Sequence, residues 1–140
     1  MNTNTQPWLS HYPEGIDWNA AIERRPLYET LEHTAQRCAD KIAIDFLDYC
    51  LTYGELLAQV NQVAKGLQAM GVTKGARVGL CLPNTPYSVI CYYGALRAGA
   101  TVVNYNPLYV ERELAFQVDD SATEIMITMD LEVLYPKVAA

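Results

Sequence analysis

The chain has 140 residues, 51% of them hydrophobic, which is long enough for one domain with a substantial core. Sixteen acidic and ten basic residues give a net charge of −6, which disfavours binding to nucleic acids. The first fifteen residues lack the basic and apolar regions of a secretory signal, so we expect a cytoplasmic protein.

Residues 1–25 are predicted to form an irregular lead-in that carries Trp8, Tyr12 and Trp18. A helix is expected from about Pro26, because apolar side chains then recur on one face: Leu27, Leu31, Ala35 and Cys38. Two short runs at 41–46 and 49–52 are predicted to pair as a β-hairpin that turns at Leu47 and Asp48.

From residue 52 onward, helices and strands are predicted to alternate. Thr52 and Glu55 have capping-box spacing, and the helix that they open has one apolar stripe and ends at Gly71. The stripe comprises Leu56, Leu57, Val60, Val63, Ala64, Leu67 and Met70. Strands are expected at 77–82, 100–104 and 124–129, with helices at 86–98 and 111–120. This order predicts an α/β fold with a largely parallel sheet flanked by helices.

Nineteen consecutive residues between Arg77 and Arg97 carry no formal charge. The length would suit a membrane helix, but residues 83–86 (PNTP) interrupt the stretch, so no transmembrane span is expected. We predict a strand and a turn, then a helix with Thr85 as N-cap and Gly99 as its end. That helix is apolar on nearly every side, which predicts neighbours all round.

Four cysteines without a CxxC pair predict small buried side chains in a reducing compartment: Cys38, Cys50, Cys81 and Cys91. His33 lies opposite the apolar face of its helix, where we expect a surface histidine. Asp119 and Asp120 could hold Mg²⁺, but adjacent carboxylates near a helix end favour a solvated edge. No nucleophile stands beside a recognisable base.

Ligands of open α/β sheets bind where parallel strands end, which here means the turns at 83–85, 104–109 and 128–130. None of these turns has the glycines of a dinucleotide fingerprint or a P-loop. The segment 71–75 (GVTKG) precedes a strand, so we interpret it as a helix end and a turn. Five tyrosines could line a tunnel for an apolar substrate, although core packing is favoured: Tyr87, Tyr92, Tyr93, Tyr105 and Tyr109.

Six short blocks occur in a characteristic order and spacing: 51–56, 71–78, 82–84, 96–100, 106–114 and 119–121. Together they resemble the opening of the adenylate-forming acyl-CoA synthetases. Within that superfamily, residues 103–109 (VNYNPLY) and 8–13 (WLSHYP) look most like long-chain fatty acid–CoA ligases. Ala76 stands where the family commonly has Asp, and Leu47 and Asp48 where it commonly has a glycine; both departures concern turns.

The resemblance implies that the chain, residues 1–140, is an incomplete N-terminal part of the large AMP-binding domain of such a synthetase. It implies a fatty acid ligase in which a carboxylate attacks the α-phosphate of ATP and the thiol of CoA then takes the acyl group. ATP, Mg²⁺ and CoA are implied for the parent enzyme, and none is expected to be bound to this chain alone. The family's catalytic, nucleotide-binding and metal-binding residues lie further along, so no catalytic, cofactor-binding or metal-binding residue is assigned.

Apolar surface left exposed on a partial domain predicts self-association, and a homodimer and peripheral contact with the inner face of the membrane are both options for the parent enzyme. The helical pattern after Asp130 reaches Ala140 without a glycine cap, and 140 residues offer little material to surround helix 86–98, so the domain is expected to continue. Two alternatives stay open. One is a free-standing module that binds acyl chains or a protein partner, and the other is an ordinary nucleotide-binding α/β domain, which the missing glycine loop disfavours.

Overall fold

The computed structural model describes residues 6–140. After a short 3-10 helix at Pro7–His11, the helices are α1 Leu27–Cys38, α2 Tyr53–Ala69, α3 Pro86–Ala98, α4 Glu111–Ser121 and α5 Tyr135–Ala139. The strands are β1 Ile42–Phe46, β2 Tyr49–Thr52, β3 Arg77–Cys81, β4 Thr101–Asn104 and β5 Ile125–Thr128. The predicted alternation of helices and strands is confirmed.

From residue 6 to residue 25 the lead-in has no regular element besides the 3-10 helix, and every residue from 7 to 27 is exposed. Its aromatic side chains therefore contribute nothing to the core, although the rings of Tyr12 and Trp18 contact each other at a centroid distance of 4.9 Å.

Strands β1 and β2 form the predicted antiparallel hairpin, with Phe46 opposite Tyr49. The turn residues Leu47 and Asp48 have φ values of +48° and +65°. Two consecutive residues in the left-handed region are typical of a type I′ turn, whose twist matches that of the flanking strands. The turn therefore adopts this geometry with Leu and Asp at its two central positions.

The second sheet is parallel and has the order β4-β3-β5, with β3 in the centre. The chain moves from β3 to β4 through α3, and from β4 back across β3 to β5 through α4. Because these crossovers run in opposite directions, right-handedness requires α3 and α4 to cover opposite faces. Ala95 of α3 packs with Val78 and Leu80 on one face, whereas Leu114 of α4 packs with Cys81 on the other.

Helix α2 begins with the predicted capping box: the Thr52 hydroxyl accepts from the Glu55 amide at 3.2 Å, and the Glu55 carboxylate accepts from the Thr52 amide at 2.9 Å. The prediction that Met70 belongs to the apolar stripe is wrong, because Met70 lies beyond the helix and is exposed. The Val72 amide donates to the Leu67 carbonyl at 3.0 Å, and Gly71 has a φ of +93°. This Schellman-type end turns Val72 into the core in place of Met70.

Helix α3 has neighbours on several sides, as its apolar composition predicts. It contacts α1, α2 and the sheet, and Tyr87 is its one exposed residue. Seven of its thirteen residues are half-buried, so the helix is covered only in part within the described residues. Thr85 occupies the N-cap position, but its side chain makes no capping hydrogen bond; the Ser88 hydroxyl instead donates to the Thr85 carbonyl at 2.6 Å. Gly99 ends the helix with a φ of +96°, as predicted.

The prediction of four buried cysteines holds fully for Cys81 alone. Cys38 and Cys91 are half-buried, and Cys50 is exposed. Cys50 and the buried Leu51 are adjacent in β2 and therefore point to opposite faces of the hairpin, which leaves the Cys50 side chain on the exposed face. Within residues 6–140, no helix is long and apolar enough to cross a membrane.

Candidate functional site

A cleft of about 430 Å³ lies at the carboxyl edge of the parallel sheet, between the ends of β3 and β4. It is lined by Leu80, Leu82, Asn84, Ser88, Val89, Tyr92, Tyr93, Asn104, Tyr105 and Pro107. The chain leaves β3 toward one face of the sheet and leaves β4 toward the other, so the cleft sits at a topological switch point. Open α/β sheets bind their ligands at such points.

The cleft has an apolar floor and a neutral polar rim. Leu80 and Leu82 are buried, whereas Asn84 and Asn104 are exposed at the mouth. No charged side chain of the described residues lines it. Its size and lining suit an uncharged group held by apolar contact and oriented by amide hydrogen bonds.

One wall of the cleft, residues 104–107, is fixed by hydrogen bonds from several elements. The side-chain amide of Gln117 donates to the backbone oxygen of Asn104 at 2.9 Å, and the Lys137 ammonium donates to the backbone oxygen of Pro107. The Tyr105 amide donates to the Leu80 carbonyl at 2.9 Å. Both ends of this wall are thus tied to neighbouring elements.

Tyr105 joins the cleft to the opposite face of the sheet. It is buried, and its hydroxyl shares hydrogen bonds with the hydroxyls of Thr123 at 2.6 Å and Ser121 at 2.9 Å. Its ring crosses β3 next to Gly79, where an added Cβ would lie 2.7 Å from a ring carbon. The tyrosine is therefore held at both the ring and the hydroxyl.

The predicted group of five tyrosines divides into two sets. Three of them line the cleft: Tyr92, Tyr93 and Tyr105. Tyr105 is buried, as the prediction of core packing requires, whereas Tyr92 and Tyr93 are half-buried. Tyr87 and Tyr109 are exposed and pack in neither a core nor this cleft.

The remaining sequence candidates lie apart from the cleft. His33, Asp119 and Asp120 are exposed. No three His, Cys, Asp or Glu side chains between residues 6 and 140 gather where they could hold a metal ion. The segment 71–75 forms a turn before β3, in which Gly75 has a φ of +91°, so it lies at the edge of the sheet opposite the cleft.

None of the perturbed thiols is an activated nucleophile. Burial raises the pKa of Cys81 and of Cys91. Desolvation and the neighbouring Asp45 carboxylate raise the pKa of Cys50. A raised pKa keeps a thiol protonated at neutral pH, whereas catalysis needs the thiolate.

A second cleft, of about 640 Å³, lies between α1, α2 and α3 and was missed from the sequence. Arg97 pairs with Glu32 there and lies over the ring of Tyr28, 5.6 Å from its centroid. Tyr28 and Glu32 lie on α1 and Arg97 on α3, so no sequence spacing signals that the arginine meets the other two. Their charges largely neutralise each other, which favours a role in joining α1 to α3.

Comparison with protein-family models gives a match to "AMP-binding enzyme" over residues 31–140. Among individual proteins, the chain is 42% identical to a long-chain-fatty-acid–CoA ligase of Bacillus subtilis over 132 residues, or 94% of this chain. It is 38% identical over 122 residues, or 86% of this chain, to the ligase of the same name from Salmonella typhimurium. The chain spans 23% and 22% of the lengths of these relatives.

A similar solved structure is the N-terminal domain of FACL13 from Mycobacterium tuberculosis, with a TM-score of 0.77 at 27% identity. The superposition covers 83% of this chain and 30% of that one. The match to the Bacillus ligase takes in most of residues 1–30, which the family model leaves out. The sequence similarity to this ligase therefore extends over most of the lead-in as well as the helices and strands that follow it.

Proposed function

Because the chain belongs to the family of AMP-binding enzymes, we propose that it is the N-terminal part of an ATP-dependent long-chain-fatty-acid–CoA ligase. In this reaction a fatty carboxylate oxygen attacks the α-phosphorus of ATP and pyrophosphate leaves. The sulfur of CoA then attacks the acyl carbon and AMP leaves. The observation that carries the proposal is 42% sequence identity to such a ligase over 94% of the chain.

The described residues contribute a scaffold and an uncharged subsite. The cleft at the carboxyl edge suits an uncharged portion of a substrate, but it does not fit a triphosphate with Mg²⁺, since no cation and no carboxylate line it. We therefore propose that the phosphates and the metal are bound by parts of the ligase beyond these residues. No catalytic, cofactor-binding or metal-binding residue is proposed within residues 1–140. In this proposal the chain consists of a lead-in at 1–25 followed by part of the AMP-binding domain.

We also propose that the ligase is cytoplasmic and touches the inner face of the membrane. The exposed lead-in supports this, because Trp8, Tyr12 and Trp18 have the amphipathic rings that favour a lipid–water interface. On addition of neutral phosphatidylcholine vesicles, the tryptophan emission should shift to the blue and the ligase should float with the vesicles. Substitution of both tryptophans by Ser should prevent this flotation. A homodimer that covers the same side chains would give concentration-dependent association and no flotation.

The proposed reaction is tested by incubating the ligase that contains this chain with palmitate, ATP, Mg²⁺ and CoA. Palmitoyl-CoA and AMP should form in equal amounts. Residues 1–140 alone should form neither product. Turnover by this segment would contradict the proposal that the phosphates and the metal are bound by other parts of the ligase. Palmitate binding without turnover by the ligase itself would favour the alternative, a module that binds acyl chains.

A further inference from the structure

The end of β4 forms one wall of the cleft, and its backbone is tied to a helix on the opposite face of the sheet. Gln117 of α4 donates from its side-chain amide to the backbone oxygen of Asn104 at 2.9 Å. The side chain of Asn104 lines the cleft mouth, and Pro107 lines it three residues later. Gln117 itself does not line this cleft.

Within residues 6–140, strand β4 lies at the edge of the sheet, so contacts with α4 help to hold it. It pairs with β3 on one side, and its register with β3 ends at the pair Leu80 and Asn104. Beyond that pair the chain turns through Asn106, whose side-chain oxygen accepts from the Leu108 amide at 3.0 Å. The Asn104 carbonyl is thus the last point of the wall that α4 holds before the turn.

We propose that Gln117 is a positioning residue that sets the shape of the cleft through the Asn104 carbonyl. The inference rests on the proposed ligase function, because it requires the cleft to receive part of one substrate. The occupant is an uncharged group that meets amide donors or acceptors at the mouth and apolar contact below. Loss of the Gln117 bond frees the wall to move, so binding weakens while the chemical step is spared.

Gln117 can be tested separately from the core, unlike Tyr105. Tyr105 fills space beside Gly79, so its replacement would also disturb packing between the sheet and α4. Gln117 is half-buried and belongs to none of the buried core clusters. Its neighbour Phe116 is exposed, which makes Phe116→Leu a matched control on the same helix.

The test uses the ligase that contains this chain, with Gln117→Leu to remove the donor and Gln117→Lys to supply another one. For Gln117→Leu, KM for at least one of palmitate, ATP and CoA should rise roughly two- to tenfold with kcat unchanged, as expected for one neutral hydrogen bond. Gln117→Lys should restore much of the loss, and Phe116→Leu should leave all constants unchanged.

Hydrogen exchange provides a readout that does not depend on activity. The backbone amides of Tyr105, Asn106 and Leu108 should exchange faster in Gln117→Leu and return toward the parent rate in Gln117→Lys. Unchanged KM values, or a fall in thermal stability without a change in KM, would overturn the positioning role. A parent protein that forms no acyl-CoA would refute the ligase proposal, while unchanged amide exchange at Tyr105, Asn106 and Leu108 would refute the positioning role by itself.

Discussion

The ring of Tyr105 occupies the space where any side chain at position 79 would lie. A Cβ built on Gly79 falls 2.7 Å from a ring carbon of Tyr105 and 2.8 Å from the sulfur of Met126. Met126 can adjust because its side chain is flexible. Tyr105 cannot move easily, since Ser121 and Thr123 hold its hydroxyl. The central strand therefore has a glycine because a tyrosine that follows directly after β4 lies across it.

Gly79→Ala should destabilise the protein by about 1–3 kcal/mol, the usual cost of adding volume to a packed core. The matched control is Gly66→Ala, because Gly66 lies in helix α2 with no atom within 4 Å of an added Cβ. That change should stabilise by about 0.5–1 kcal/mol. Urea unfolding midpoints measure both effects. If Gly79→Ala left the free energy of unfolding unchanged, the Tyr105 ring would have to move aside without cost, contrary to this account.

Gly94→Ala should force α2 and α3 apart. An added Cβ lies 2.5 Å from the Val63 Cγ1 and 2.7 Å from its Cβ, and a β-branched side chain in a helix has little rotamer freedom. We expect a loss of about 1–3 kcal/mol. Combination with Val63→Ala should cost less than the sum of the two single changes. Strict additivity in the double-mutant cycle would mean that the two positions do not share this space.

Thr52→Ala should cost about 0.5–2 kcal/mol by removing the N-cap of α2. The partner in the capping box adds a pH dependence: hydrogen bonds from the Thr52 amide and hydroxyl hold the pKa of Glu55 below its usual value. A depressed folded-state pKa gives stability that is present above the unfolded value, about 4.3 for Glu, and is lost as the pH falls through the folded value. The stability difference between the parent and Glu55→Gln should therefore shrink below that range, and a difference that grows on acidification would contradict the assignment.

Asp48→Gly should stabilise the hairpin by about 1 kcal/mol, because a non-glycine residue pays a steric penalty at positive φ and Asp48 has a φ of +65°. The control is Asp45→Gly in β1, where glycine weakens a regular strand by about 0.5–1 kcal/mol. Opposite shifts in melting temperature are expected. The same sign for both substitutions would argue against the left-handed turn.

Most of the fold could be predicted because its signals are local. The capping box at Thr52, the proline at the start of α3 and the glycine after it mark element ends within a few residues. Apolar runs of strand length between these helices predicted the parallel sheet. Met70 and Val72 show the limit: both are apolar, and the geometry at Gly71 decides which of them enters the core.

The candidate site was less accessible from the sequence. The turns at the strand ends were predicted as the place to look, but the cleft depends on β3 and β4 being neighbours, which periodicity does not report. Tyr92 and Tyr105 meet there although they lie on different elements. Gln117 gave no signal, because a glutamine on a helix surface is ordinary until a strand carbonyl is found beside it.

The ligase proposal is tested most directly by mass-spectrometric detection of products when the ligase containing this chain receives palmitate, ATP, Mg²⁺ and CoA. The proposal predicts palmitoyl-CoA and AMP in equal amounts, and palmitoyl-adenylate when CoA is left out. Absence of both palmitoyl products, with the protein folded by circular dichroism, would contradict it.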